Sequence, residues 1–310
     1  EGISAGGLDD NLLKRYNISK ELDHGAVVPL YFAAEGVPDA KLVHISIAGL
    51  SLEDLYRFGM CISRAIDETD ERVVFIASGD LSHRLSYDGP YGFSERGEEF
   101  DRLFVESVKK YDVKTFLNID EGLCESAGEC GLRSFIIMFG ALDSYVVKPE
   151  VFSYEGPFGV GYAVARLGIE GRKDESSILQ EIAVEDRQRV SQRRGKEDDY
   201  IRIARESLEY FLKHQRIMPV PENLPEEMTK NRAGVFVSIK KNGRLRGCIG
   251  TIMPTTGSIA EEIIINAVSA GTRDPRFDPV EEEELDRLVY SVDVLEKPEP
   301  VGSMEQLDVK

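Results

Sequence analysis

Tryptophan is absent from this chain, and histidine and cysteine are scarce, at four each among 310 residues. The four cysteines, Cys61, Cys124, Cys130 and Cys248, stand far apart or in no CxxC pair. A chain this long does not need a disulfide frame, so reduced thiols in a cytoplasm are the expectation. Long apolar runs are also missing. No stretch reaches the roughly 18–20 residues of a membrane span, and no basic region followed by an apolar stretch opens the sequence. Positive charge is in deficit: 38 Lys and Arg against 56 Asp and Glu give a formal net charge of −18. A surface that acidic repels phosphate backbones, so general binding to nucleic acid or anionic membranes is not expected.

What is present is ordinary globular material, 42% hydrophobic and 30% charged. A single core rarely grows past about 250–300 residues, so two domains are expected. The opening at Glu1 without Met, and the close at Lys310 soon after a turn signal at Pro298–Gly302, read as a fragment of something longer.

Residues 41–47 (KLVHISI) and 72–77 (RVVFIA) are short β-branched runs, expected as buried strands of a largely parallel sheet. Between them Ser51 caps a helix, with Asp54 three residues on and Leu55, Phe58, Ile62 and Ile66 on one face. Further helices are expected over 96–110 (Phe100, Leu103, Phe104 and Val108 inward) and 131–142. Strands at 151–154 and 160–167 would then close the sheet. Residues 169–198 are dense in both charge signs and poor in aromatics, and read as a charged linker with at most one exposed helix. Beyond it come a helical stripe (Tyr200, Ile203, Ala204, Leu208, Phe211, Leu212), a strand over 234–240 and a Lys241–Asn242–Gly243 turn. A strand over 244–252, a helix over 257–270 and a strand over 287–295 follow, an α+β pattern.

Two histidines sit in unusual settings. His24 lies in Asp23-His24-Gly25 before the apolar Val27-Val28-Pro29-Leu30. His83 ends Ser78-Gly79-Asp80-Leu81-Ser82-His83, which leaves the carboxyl end of the 72–77 run, where sites in α/β sheets collect. His44, inside an expected strand, and His214, beside Lys213, read as structural. So do Glu129 and Cys130, as a helix-start acid and a small buried thiol, and Glu155, as a turn-capping acid.

The order DHG–VPL, SGDLSH, GPYGF (89–93), AGECGLRS (127–134) and SYEGPFGVGY (153–162) closely resembles the class III extradiol dioxygenases, the LigB-like fold that includes the Memo proteins. The resemblance covers about residues 20–167. It implies an α/β fold, a mixed, largely parallel sheet flanked by helices, in a domain over 1–168. It also implies mononuclear Fe(II), with other divalent metals left open, and a catechol-type aromatic substrate opened with O₂. His24 would be the acid/base residue, suited to proton transfer because an unperturbed imidazole titrates near pH 6.5. Asp23 would orient it. His83 would be a metal ligand, with Asp80 and Ser82 left open as contributors. The family's two other metal histidines come from short His-Pro and His-Gly motifs nearer the N-terminus, and no histidine precedes Leu22 here. The 310 residues alone are therefore expected to be inactive as a dioxygenase.

A second constellation is Arg246-Gly247-Cys248-Ile249-Gly250-Thr251, followed by Asp274-Pro275-Arg276-Phe277. Arg246 is placed to lower the pKa of a Cys248 nucleophile; the plainer reading is a buried hairpin cysteine. RGCIGT and DPRF over about 199–298 resemble the AMMECR1 domain, which implies a smaller α+β domain over 199–310, incomplete at its C-terminus. Arg246, Cys248, Thr251, Asp274 and Arg276 are its pocket candidates, and no settled reaction comes with the resemblance. The fusion resembles a component of the AmmeMemoRadiSam set, which implies a radical-SAM protein as a partner. The rival to an enzyme is a metal-binding or interaction protein that keeps the fold without ring cleavage.

Overall fold

A computed structural model describes residues 7, 11, 14–15, 21–173, 177–241 and 243–296. The turn residue Asn242 and the turn signal at 298–302 lie outside these. The chain divides into two compact units, Glu1–Glu181 and Ile182–Lys310.

The first unit is built on helices. Helix α1 (His24–Ala33) buries none of its residues. Helix α2 (Leu52–Asp67) starts where Ser51 Oγ accepts from the Asp54 amide, and it turns Leu55 and Tyr56 inward. Helix α3 (Glu95–Lys110) buries Phe100, Phe104 and Val108 on one stripe and ends at Tyr111 in the left-handed region. Two short helices, α4 (Val113–Leu117) and α5 (Glu121–Ala127), are capped by Asp112 and Asp120. Helix α6 (Leu132–Ala141) is apolar around most of its circumference, as a helix enclosed by the core must be. It crosses α2 at glycines. A Cβ on Gly140 would stand 2.0 Å from the Tyr56 carbonyl oxygen, and one on Gly59 2.0 Å from that of Ile137. The two backbones can approach so closely only because neither residue has a side chain. The buried Tyr56 hydroxyl donates to Asp143 Oδ1 (2.6 Å), which also accepts from the Ile178 amide (3.0 Å). Burial, and then the Asp143 charge, hold that phenol well above its usual range.

Strands β1 (Tyr145–Glu155) and β2 (Tyr162–Arg172) form an antiparallel hairpin, with Tyr145 opposite Arg172 and Glu155 opposite Tyr162. Here the structure departs from the expected largely parallel sheet. Among the described residues both sheets are antiparallel. Residues 41–47 and 72–77 are in no strand. Several of their apolar side chains face solvent, Val43 at 82% and Val74 at 78% exposure, while Phe75 packs against the core. Two β-branched runs without paired strands beside them have no ladder to complete.

Segment 169–198 is more ordered than a linker. Strand β2 runs to Arg172, and helix α7 spans Ile178–Arg194 with Ile182, Asp186 and Val190 buried.

In the second unit helix α8 (Asp199–His214), capped by Asp198, presents Ile203, Ala204 and Leu208 to the core. After the short α9 (Glu226–Lys230), strands β3 (Val235–Lys241), β4 (Arg244–Gly250) and β5 (Leu288–Val294) form a sheet in the order β4-β3-β5. Val235, Val237 and Ile239 alternate onto its fully buried face, against helix α10 (Ile259–Thr272). Gly243 sits at φ +80° in the hairpin turn, a conformation that favours glycine.

Candidate metal centre

Segment 78–85 carries the first site, and its neighbours hold nearly every residue of it. Ser78 Oγ donates to the Gly25 carbonyl (2.6 Å), tying the segment to the start of α1. The Asp80 carbonyl accepts from the Gly131 amide (3.0 Å), and the Leu81 amide donates to Gly161 (2.9 Å). The Gly161 amide donates to Ser82 (2.7 Å), the His83 amide to Ala127 (3.0 Å) and the Leu85 amide to Gly159 (3.0 Å). A Cβ on Gly79 would lie 2.3 Å from Gly131 Cα, so the segment meets the start of α6 backbone to backbone.

This anchoring brings Asp80, His83 and Cys130 together. One ligand atom from each lies within 4.8 Å of the other two. His83 Nε2 is buried, has no hydrogen-bond partner, and stands 3.3 Å from Asp80 Oδ2. The Cys130 sulfur accepts from the Asp80 amide at 3.2 Å. Burial pushes the Cys130 thiol up, as do the charges of Asp80 and Glu129. Glu129 caps α6 by accepting from the Leu132 amide (2.7 Å), and burial raises its carboxyl as well. The His83 ring stacks on Tyr91, 4.9 Å between centroids and 24° between planes.

The donors fit a divalent transition ion. Neighbouring ligands on one ion stand about 3–4 Å apart at metal–ligand bonds of roughly 2.0–2.3 Å, so only small side-chain closure is needed. An imidazole nitrogen buried without a partner is otherwise a cost.

Not all expected residues act as anticipated. Asp23 does not stand free to orient His24: its Oδ1 accepts from the Ala26 amide (3.0 Å) as the cap of α1. His24 is the exposed first residue of that helix. Ser82 faces away from the ligand atoms; its Oγ donates to the Ala127 carbonyl (3.0 Å). Cys130, read from sequence as a small buried thiol, is instead exposed and part of the cluster. His44 and Glu155 are exposed, and His214 packs on Tyr210 in the last turn of α8.

In the second unit the five candidate residues fall into three groups. The Arg246 guanidinium is paired with Glu284 through Nε (3.1 Å) and Nη2 (2.9 Å), and Nη1 reaches the Asp278 carbonyl (2.8 Å). It is thus committed to Glu284, not to Cys248. With Lys241 also on Glu284 (2.8 Å), these bonds outweigh burial and hold that carboxyl down at about 2. Cys248, Asp274 and Arg276 do meet. Asp274 Oδ2 accepts from the Cys248 amide (2.8 Å) and from Arg276 Nη2 (2.7 Å), and Arg276 Nη2 reaches the Cys248 carbonyl (3.3 Å). The Arg276 hydrogen bond, foremost, depresses the Asp274 carboxyl. Ser238 Oγ donates to the Cys248 sulfur at 3.2 Å.

Thr251 belongs elsewhere: its hydroxyl donates to Glu262 Oε1 (2.6 Å). Glu262, which the sequence reading did not single out, is 1% exposed. It also accepts from the hydroxyl and amide of both Thr255 and Thr256, at 2.7–2.9 Å. Burial alone would raise its carboxyl; the five donors bring it down to about 2. A glutamate in the first turn of an apolar helix, just after a Thr-Thr-Gly-Ser loop, was the available signal.

Fold and site together define a protein with a first unit that carries a candidate metal-ligand cluster, followed by a separate α+β unit. Residues 5–165 match the family described as the catalytic LigB subunit of aromatic ring-opening dioxygenase, and residues 201–310 match AMMECR1. The chain belongs to the LigB family and carries an AMMECR1 domain after it. It is 46% identical over 302 residues to a protein of Clostridium acetobutylicum, covering 97% of this chain and 64% of that protein. A Thermotoga maritima protein is 45% identical over 115 residues, 37% of this chain and 66% of its own length. A crystal structure of an uncharacterized protein from Pyrococcus horikoshii is similar over 34% of this chain and 53% of that one, at 36% identity and a TM-score of 0.32. The chain thus spans 64% of the Clostridium relative's length. No helix among the described residues is long and apolar enough to cross a membrane.

Proposed function

We propose that residues 21–173 carry the metal centre of a ring-opening dioxygenase acting with O₂ on a catechol-type or related aromatic substrate. The metal would be ferrous iron, held by Asp80, His83 and Cys130. The observation that carries this is the convergence of three ligand atoms within 4.8 Å in a chain of the LigB family. A ferrous ion held there supplies redox chemistry with O₂ and open positions for a catecholate. The chain's own residues do the rest. His83 and Asp80 are fixed by backbone bonds on either side, and the exposed Tyr91 and Tyr162 give the mouth an aromatic lining. Tyr162 lies close enough to feel the charges of Asp80 and Cys130, after burial the next causes of its raised phenol. His24, one residue from the Gly25 carbonyl that Ser78 grips, is the proposed acid/base group.

One observation favours a second reading. The donor set combines a sulfur and a carboxylate with a single imidazole, which suits a metal-binding or interaction protein without ring cleavage, working with a radical-SAM partner. Cys130 and Cys248, neither of them in a disulfide, accord with a cytoplasmic setting. Among the described residues the cluster contains a single histidine, so ring opening is assigned to the whole protein rather than to these 310 residues alone.

The test is dioxygen uptake with simple catechols by the iron(II)-loaded protein at the full length of its relatives. Ring-opened product with stoichiometric O₂ consumption is expected. Iron binding without O₂ uptake would support the second reading and contradict the first.

A further inference from the structure

Beneath the metal centre lies a carboxylate that neither sequence motif includes. Asp101, on α3, is fully buried. Its Oδ1 accepts from the Ser82 amide at 2.7 Å, and its Oδ2 from the Tyr154 hydroxyl of β1 at 2.7 Å. Gly161 makes room for it, since a Cβ there would stand 2.0 Å from Asp101 Oδ2. Gly161 is itself bonded to the same stretch, accepting from Leu81 (2.9 Å) and donating to Ser82 (2.7 Å). Asp101 thus joins α3, β1 and the residue preceding β2 at the peptide between Asp80 and His83. The remaining polar atoms of Ser82 turn inward as well. Its hydroxyl donates to Ala127 (3.0 Å) and accepts from the Arg84 amide (3.0 Å). Gly97 leaves the space, because a Cβ there would meet that oxygen at 2.5 Å.

Burying a carboxylate is costly unless its oxygens are hydrogen-bonded, so an acid kept here marks a geometry that matters. Asp80 and His83 are three residues apart, and the peptide between them sets whether both side chains reach one point.

We propose that Asp101 is a positioning residue for the metal centre: through the Ser82 amide and the Tyr154 hydroxyl it holds Asp80 and His83 at the separation an ion requires. It touches no ligand atom, so it acts only through segment 80–83. The inference rests on the metal-centre reading above. Loss of such an outer partner costs about 10–100-fold in metal affinity.

The test uses cobalt(II), a spectroscopically visible probe, titrated into the whole reduced chain. Asp101→Asn keeps the shape but replaces one acceptor by a donor; Tyr154→Phe removes only the hydroxyl. Ile136→Val, a core change that removes none of these hydrogen bonds, is the control for lost stability. Cobalt affinity about 10–100-fold weaker in Asp101→Asn, with an altered thiolate–cobalt absorption band, is expected. Tyr154→Phe should weaken binding less, and Ile136→Val should leave affinity unchanged. If Asp101→Asn does not fold, Tyr154→Phe carries the test alone, and wild-type affinity in it overturns the proposal. Wild-type affinity and spectrum in both network variants would show a merely structural role and overturn the inference while leaving the metal centre standing. Absence of cobalt binding by the wild-type chain would overturn both.

Discussion

His83 Nε2 and Asp80 Oδ2 face each other at 3.3 Å without a hydrogen bond between them, and the nitrogen is buried with no other partner. With the Cys130 sulfur, these two groups bring three donor atoms within 4.8 Å of one another. Asp80→Asn keeps the shape and removes the charge. We expect it to weaken cobalt(II) binding at neutral pH while leaving the thermal midpoint within about 4 °C of wild type, the shift that ~1 kcal/mol produces in a small domain. Equal cobalt affinity in both proteins would remove Asp80 from the centre.

Glu262 should make the second unit acid-sensitive. Its folded carboxyl lies near 2, below the ordinary value of 4.5. Its stabilising contribution is therefore fully present above the unfolded value, and is lost as pH falls toward 2 and through it. Glu262→Gln places an amide donor against the Thr255 and Thr256 amides or the threonine hydroxyls, and is expected to cost about 1–3 kcal/mol at pH 7. Urea denaturation at pH 7 and pH 3 should show the gap between wild type and variant narrowing in acid. A gap that widens would contradict the assignment.

The crossing of α2 and α6 should tolerate no added methyl. Gly140→Ala would drive its Cβ to 2.0 Å from the Tyr56 carbonyl oxygen, inside backbone that cannot rotate away. Overpacking of this kind costs about 1–3 kcal/mol or more. Gly171→Ala, where a Cβ meets nothing within 4 Å, should be near neutral on that scale. Chemical denaturation of the two variants separates them, and similar midpoints would mean the helices do not meet as described.

Where the sequence was legible, local physics and packing agreed. The Ser51 cap and the Leu55–Phe58–Ile62 face gave α2, and the Phe100–Phe104–Val108 stripe gave α3. The alternation of Val235, Val237 and Ile239 gave β3. Where a segment needs partners, local pattern misled. Residues 41–47 and 72–77 carry β-branched runs whose pairing depends on other chain segments. Helix α1 follows from the Asp23 cap, a signal masked by reading Asp23 as a site residue. At the metal centre His83 and Asp80 were visible because three residues separate them. Cys130 was not, because only the fold carries position 130 to position 80. Arg246 next to Cys248 in sequence suggested a pair, but Glu284, far along the chain, takes the guanidinium.

The exposed apolar runs carry their own consequence. Val43, Val74, Tyr31 and Phe32 are 75–82% exposed in one unit. Exposed apolar side chains favour association where they cluster. The 310-residue chain should bind a hydrophobic dye and self-associate in sedimentation, and Val43→Lys with Val74→Lys should reduce both. No change on substitution would show these side chains to be covered in solution.

The central claim is that Asp80, His83 and Cys130 hold one metal ion. Anaerobic equilibrium dialysis of the reduced whole chain against iron(II), followed by metal analysis, tests it most directly. We predict one ion per chain, with the stoichiometry collapsing in both His83→Ala and Cys130→Ser. An ion retained undiminished in those variants, or none in the wild-type chain, would contradict it.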